Sequence, residues 1–171
     1  MKLLRKNSIP AACLCVFCAV LFFSLFFNGK PAEKEQSGYS VIEEGVELSF
    51  RPRSLELELF FTREKFEAFY ARMHQNRIPR PEAPHIDFTR SIVVFITLGE
   101  KSSTGFTIDV RGVYKRGNAL ALRAVPISPP QESLQAQMIT HPYALILIPK
   151  NSFKRIEWVN ERGEVLESQN L

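Results

Sequence analysis

A polar turn between two strand-like segments constrains the fold of this chain most. Residues 91–98 are β-branched and aromatic over a typical strand length. Residues 106–110 alternate apolar with polar side chains, as a strand does when one of its faces is buried. The intervening residues are rich in hydroxyl groups and include Gly99 and Gly105, which tolerate positive φ. The pattern predicts a β-hairpin that presents residues 99–106 at its tip.

The other periodic segments predict an α+β fold that is mainly antiparallel β. Residues 54–60 alternate leucine with glutamate, which is typical of a half-buried strand. Apolar side chains at helical spacing follow Thr62, so we expect one amphipathic helix with Thr62 as its N-cap. Further strands are expected within 113–125, 143–148 and 156–166. About seven short strands with one helix favour a sandwich-like or meander arrangement.

The N-terminal part of the chain has the pattern of a targeting segment. Residues 9–27 carry no charge and follow three basic side chains, which predicts a signal anchor or signal peptide over residues 1–29. Bulky residues before Gly29 favour an uncleaved anchor, with cleavage as the alternative. Residues 30–45 are polar and charged and predict a flexible linker. Residues 46–171 are then the globular domain.

The location of the domain follows from the charges beside the apolar segment. Basic residues on the short N-terminal side keep that end in the cytoplasm. We expect a single-pass inner-membrane protein whose domain faces the periplasm or the cell exterior, or a secreted protein if the segment is cleaved. All three cysteines, Cys13, Cys15 and Cys18, lie inside the apolar segment, so the exported part has no thiol for a disulfide. Lipidation of one of them is an alternative fate.

The charge balance excludes a nucleic-acid partner. Three of the 22 lysines and arginines precede the apolar segment, which leaves 19 basic against 18 acidic residues in the exported part. No long basic run occurs there. Because nucleic-acid binders concentrate positive charge on one face, we set this class aside.

Motifs of catalysis, metal binding and phosphate binding are absent from the sequence. We expect His74 to be exposed at the helix end, and His85 and His141 to have structural or surface roles. Asp87 is expected to accept backbone hydrogen bonds where a strand begins. The sequence therefore predicts a protein that is not an enzyme and has no metal, cofactor or small-molecule substrate. A hydrolase that uses Asp87 or His141 is a minor alternative.

The turn itself has two interpretations. Its hydroxyl groups either satisfy turn backbone or form a contact surface for another protein, in which adaptable polar groups surround one exposed aromatic ring. The residues of this hypothetical partner-binding surface are Lys101, Ser102, Ser103, Thr104, Gly105 and Phe106.

Residues 86–88, 99–108 and 140–145, taken together in order and spacing, resemble the C-terminal domain of PrcB-type protease-complex subunits. That family has an Asp-Phe pair before the strand, a Gly-x-Lys-Pro-Thr-Gly-Gly-Tyr turn after it and a later Thr-x-Pro-Tyr element. The residues that fit are Asp87, Phe88, Gly99, Lys101, Gly105, Thr140, Pro142 and Tyr143. The departures are Ser102 for proline, Ser103 for threonine, Thr104 for glycine and Phe106 for tyrosine.

The resemblance implies an exported, non-catalytic interaction domain. It is similar to a subunit that binds and stabilises a secreted or surface protease, so the implied partner is a protease or another envelope protein. Within it, Asp87, Phe88, Gly99, Pro142 and Tyr143 are expected to be structural signature residues. Residues 103–106 also resemble the Thr-Thr-Gly-Phe turn of chagasin-like cysteine protease inhibitors. Inhibition of a protease through residues 99–106 is therefore the alternative function.

Overall fold

The computed structural model describes residues 38–150 and 153–171. These residues form one helix, α1 (Arg63–Met73), and eight strands, one more than about seven predicted. The strands are β1 (Ser40–Gly45), β2 (Glu56–Phe60), β3 (Ser91–Thr97), β4 (Thr107–Arg116), β5 (Ala119–Ile127), β6 (Tyr143–Pro149), β7 (Arg155–Val159) and β8 (Val165–Asn170).

The eight strands form two four-stranded sheets. The first sheet has the order β1-β6-β3-β2 and the second has the order β4-β5-β7-β8. Every pairing is antiparallel except that of β5 with β7, which is parallel. The predicted mainly antiparallel β fold is confirmed, and the strands expected within 156–166 pair with each other as β7 and β8.

The main core lies between the two sheets, because its side chains come from both. Alternate residues of β3 point into it, from Ile92 to Ile96, and they meet side chains of β5 and β7. Trp158 on β7 is fully buried there, and its indole N–H donates to the carbonyl of Ala124 at 2.6 Å. The buried indole is thus both packed and hydrogen-bonded.

A second core lies between α1 and the other face of the first sheet. Its aromatic stripe confirms the predicted helix face, and the ring centroids of Phe69 and Phe95 lie 4.8 Å apart. Thr62 is the N-cap, as predicted, and its hydroxyl accepts from the Lys65 amide at 3.5 Å. Since β3 is covered on one face by α1 and on the other by the second sheet, its continuous apolar run is explained.

The predicted hairpin of β3 with β4 is wrong. β3 pairs with β2 and β6, whereas β4 pairs with β5 across a two-residue turn at Gly117 and Asn118. Residues 98–106 therefore cross from the first sheet to the second. A strand that is buried on both faces lies in the middle of a sheet and needs two neighbouring strands. For β3 these are β2 and β6, so β4 is not its partner.

The folded part begins earlier than the predicted boundary at residue 46. Residues 40–45, assigned to the linker from their polar composition, form β1 at the edge of the first sheet. The reason is that Glu43 is largely removed from solvent and accepts a hydrogen bond from the Tyr143 hydroxyl at 2.6 Å. The predicted membrane segment, residues 9–27, lies outside the described residues. None of the helical structure in the described part is long and apolar enough to cross a membrane.

Candidate functional site

The crossing between the sheets, residues 99–106, is the predicted partner-binding turn. It is held against the segment that precedes β6. Lys101 and Thr140 form an isolated antiparallel bridge, in which the Lys101 amide donates over 2.8 Å and the Thr140 amide over 2.9 Å. The Thr140 hydroxyl also donates to the carbonyl of Ser103 at 3.0 Å. Hydrogen bonds with Thr140 therefore hold the turn at two positions, Lys101 and Ser103.

Thr104 ties the turn to the same segment at a second point. Its amide donates to the Ala136 carbonyl at 3.1 Å, and its hydroxyl accepts from the Ala136 amide at 3.2 Å. The same hydroxyl lies 3.2 Å from Oε1 of Gln135 and donates to it. The interpretation in which the turn hydroxyls satisfy backbone groups thus holds for Thr104, whereas Ser102 is exposed and has no hydrogen bond among the described residues.

Two glycines have the positive φ predicted for the ends of the turn. Gly99 has φ of 70° and Gly105 has φ of 89°. A Cβ at Gly99 would lie 2.5 Å from the carbonyl oxygen of Ser54. A Cβ at Gly105 would lie 2.8 Å from Cβ of Pro129, which cannot rotate away, and would also meet the side-chain amide of Gln135. Both positions require glycine for its backbone conformation and for its lack of a side chain.

The cationic and aromatic side chains of the turn lie near each other. Nζ of Lys101 is 5.8 Å from the centroid of the Phe106 ring, within the range of a cation–π contact. Phe106 is half-buried, whereas the sequence suggested an exposed ring. The turn therefore presents a partly exposed aromatic ring and a lysine, not a free hydrophobic anchor.

The expected signature residues have separate structural roles. The carboxylate of Asp87 accepts from the amide and the hydroxyl of Thr89 at 2.9 and 2.5 Å, as predicted for a strand entry. These hydrogen bonds hold the pKa of Asp87 below its usual range. Phe88 packs on α1, where its ring centroid lies 5.9 Å from that of Phe66. Asp87 thus fixes the entry to β3 and Phe88 packs on the helix, and none of their described hydrogen bonds or ring contacts reaches the turn.

Pro142 links the turn to β6. Its carbonyl accepts from the Leu98 amide and from the Thr97 hydroxyl, both at 2.9 Å. The Thr97 hydroxyl in turn accepts from the Gly99 amide at 3.1 Å. The buried hydroxyl of Thr97 therefore connects the start of the crossing, at Gly99, to the segment before β6, at Pro142. The sequence did not predict this contact.

Tyr143 belongs to a buried polar cluster centred on Glu43. Nε2 of His74 lies 3.2 Å from Oε2 of Glu43, and Arg77 approaches Oε1 of the same carboxylate at 3.9 Å. Burial, followed by the hydrogen bond with Glu43, raises the pKa of Tyr143 and raises that of Tyr70 to about 12. This cluster joins β1, α1 and β6.

The histidines do not form a common site. His74 is fully buried, so the prediction of an exposed side chain was wrong; the helix stripe continues one residue further and encloses it. His85 is exposed, and its Nδ1 lies 3.1 Å from Nη2 of Arg63. His141 is buried beside the bridge of Lys101 with Thr140. Within residues 38–150 and 153–171, no group of three or more His, Cys, Asp or Glu side chains could hold a metal ion.

The segment 134–139, to which the turn is fastened, exposes three large apolar side chains. Leu134 is fully exposed, while Met138 and Ile139 are 48% and 54% exposed. The sequence reasoning missed this surface because the segment has neither helical nor strand periodicity. The only available signal was apolar residues in a loop flanked by prolines and polar residues. We call residues 99–106 and 134–139 together the turn surface.

The comparison with protein families adds one finding to this geometry. The PrcB C-terminal family model matches residues 92–149. The predicted resemblance to PrcB-type subunits is confirmed over these residues, which run from β3 to β6 and include the whole turn surface. The Asp87-Phe88 pair and α1 precede the PrcB C-terminal match. No curated protein and no solved structure matches the chain.

Proposed function

We propose that this protein is an exported, non-catalytic subunit that binds a protease and stabilises its complex. The observation that carries the proposal is the PrcB C-terminal match, which suggests a domain associated with a protease complex. The N-terminal sequence pattern supports placement of the domain outside the cytoplasm. The proposed contact site is the turn surface.

The composition of the turn surface supports a role in protein contact. Three exposed apolar side chains on 134–139 adjoin a turn with a lysine, an exposed serine hydroxyl and part of an aromatic ring. Methionine and aromatic residues are enriched in protein interfaces, where adaptable polar groups surround them. An apolar side chain as exposed as Leu134 gains most when a partner covers it.

The surroundings of the histidines support a non-catalytic role. His74 is enclosed by Glu43 and by the ring of Tyr70, whose centroid lies 4.4 Å from that of His74. His85 lies on the surface beside Arg63. These contacts of His74 and His85 are structural. Neither histidine is paired in them with a serine, threonine or cysteine nucleophile.

Copurification with a matched pair of variants tests the proposal. Leu134 and Ile78 are both exposed almost completely, but only Leu134 belongs to the turn surface. The tagged full chain is recovered from the envelope of its native host, and bound proteases are identified by mass spectrometry and peptidase assay. We expect wild type and Ile78→Asp to retain a protease, and Leu134→Asp to retain at least about tenfold less, as for loss of a central contact.

Two results would overturn the proposal. One is the absence of any protease with the wild-type chain, and the other is equal recovery with Leu134→Asp and Ile78→Asp. The recovered protease also separates the subunit function from the inhibitor alternative. A stabilising subunit lengthens the active lifetime of the protease, whereas a chagasin-like inhibitor slows its turnover.

A further inference from the structure

A cavity of about 330 Å³ lies beside the turn surface. Its lining comes from the segment after β1, from the C-terminal end of α1 and from Ile139 and His141, which flank the bridge of Thr140 with Lys101. The volume is at the lower end of the range for small ligand sites, roughly 300–1,000 Å³. Because Ile139 also belongs to the turn surface, a partner bound there would reach the mouth of the cavity.

The charged side chains that line the cavity are Glu47, Arg51 and Arg77. Arg51 forms no ion pair among the described residues, and Glu47 forms none either. Arg77 has only a long contact, 3.9 Å, with Glu43. A guanidinium group has five N–H donors in a planar fork, so both arginines retain donors for a carboxylate.

His141 contributes a buried imidazole to the same cavity. The residue is 6% exposed, and its Nε2 has no hydrogen-bond partner among the described residues. Burial lowers the pKa of His141; the charge of Glu100 opposes this effect and that of Arg51 adds to it. The lowered pKa favours the neutral ring, whereas an anion in the cavity would favour its protonated form.

We propose that the cavity binds a carboxylate of the protein partner, with Arg51 and Arg77 as its main hydrogen-bond donors. The proposal rests on the proposed function, because the partner would present this carboxylate while it covers the turn surface. The carboxylate comes either from an acidic side chain or from the C-terminus of the partner. The charge of the bound carboxylate raises the pKa of His141, which lines the cavity.

Histidine NMR on the full chain in detergent micelles tests the proposal with defined probes. The chain has three histidines, so three single substitutions assign their signals. The probes are acetyl-Ala-Glu-Ala-amide, its Gln counterpart, and acetyl-Ala-Ala with a free terminal carboxylate. We expect a saturable shift of the His141 signal, and an increase in its pKa, with at least one carboxylate probe and not with the Gln peptide. The probe that binds more tightly identifies the source of the carboxylate.

A matched pair of arginine variants sharpens the test. Arg51 and Arg53 are both exposed, but Arg53 does not line the cavity. We expect Arg51→Gln to raise the dissociation constant about tenfold, the loss expected for one charge-assisted hydrogen bond, and Arg53→Gln to leave it within about twofold. Equal effects of the two variants, no saturable shift, or equal binding of the Gln peptide would each overturn the proposal.

The cavity and the proposed function are separable by copurification. If Arg51→Gln retains the protease fully while Leu134→Asp loses it, the subunit function stands and the cavity proposal falls. If the wild-type chain recovers no protease but binds the carboxylate probe as described, the cavity is a carboxylate site, but the subunit function and the assignment of that carboxylate to a protease both fall.

Discussion

At the scale of single residues, Glu43 shows how one carboxylate can decide where a domain begins. It is a surface-type residue in a polar segment, yet it accepts a hydrogen bond from Tyr143 and contacts His74, which is fully buried. A carboxylate that is largely removed from water is stable only when hydrogen-bond donors replace that water, so β1 is fixed to the sheet by the cluster as well as by its backbone.

The hydroxyl of Tyr143 is therefore expected to contribute measurable stability. Tyr143→Phe removes the donor to Glu43, and we expect the free energy of unfolding to fall by about 1 to 2 kcal/mol. Tyr114→Phe is the matched control, because the Tyr114 hydroxyl is buried without a partner among the described residues. The control should change stability by less than about 0.5 kcal/mol, or increase it. Urea titration measures both values, and equal losses would contradict this account.

Gly99 at the start of the crossing and Gly117 in the turn between β4 and β5 show how the same substitution can differ in its cost. Gly99 and Gly117 both have positive φ, but a Cβ at Gly117 would meet nothing within 4 Å. We expect Gly117→Ala to cost about 1 kcal/mol from backbone strain alone. Gly99→Ala adds a clash with the backbone of Ser54 and should cost at least about 3 kcal/mol in total. Thermal or urea unfolding of the two variants gives the comparison, and equal costs would show that the contact with Ser54 is unimportant.

At the scale of elements, the local sequence pattern predicted whether a segment is a helix or a strand better than it predicted which strands pair with each other. The stripe of α1 and the apolar runs of β3 and β6 follow from periodicity, because periodicity records which faces are buried. The partner of β3 does not follow, since glycines and hydroxyls between two strands fit a crossing as well as a hairpin. What fixes the crossing is its bonding to residues 135–142, more than 30 residues further along the chain.

The same reasoning explains what was predicted of the candidate site. The turn was found because its glycines and polar residues form a local pattern. Segment 134–139 and the cavity beside His141 were not predicted, because the exposure of a loop residue and the lining of a cavity are decided only when distant segments meet.

The attachment of the turn to its segment can be measured directly. Thr104→Val removes the hydroxyl that Ala136 and Gln135 contact, while Ser102→Ala removes an exposed hydroxyl with no described hydrogen bond. We expect amide hydrogen exchange at Ala136 to become about five to ten times faster in Thr104→Val, equivalent to the loss of about one hydrogen bond. Ser102→Ala should leave the exchange rate unchanged. Unchanged exchange in both variants would mean that the backbone bridge alone holds the segment.

At the scale of the whole molecule, the first sheet is the central layer. It packs on the second sheet through one face and on α1 through the other, so two separate cores share β3 and β6. The Glu43 cluster lies at the end of the helix-side core, where β1, α1 and β6 meet. A change of charge in the cluster therefore acts on three elements at once, and its effect should appear in the stability of the whole domain.

Alkaline pH provides this test, because Tyr70 and Tyr143 in the cluster have raised pKa values, that of Tyr70 being about 12. A folded-state pKa above the unfolded value of roughly 10 means that folding favours the neutral phenol. The corresponding stability is fully present below about pH 10 and is lost as the pH rises through 12. We expect the free energy of unfolding of wild type, measured in urea from pH 8 to pH 12, to fall more steeply above pH 10 than that of the Tyr70→Phe, Tyr143→Phe double variant. Because both proteins contain the same lysines and arginines, the difference isolates the two phenols, and parallel curves would show that the cluster does not oppose their ionisation.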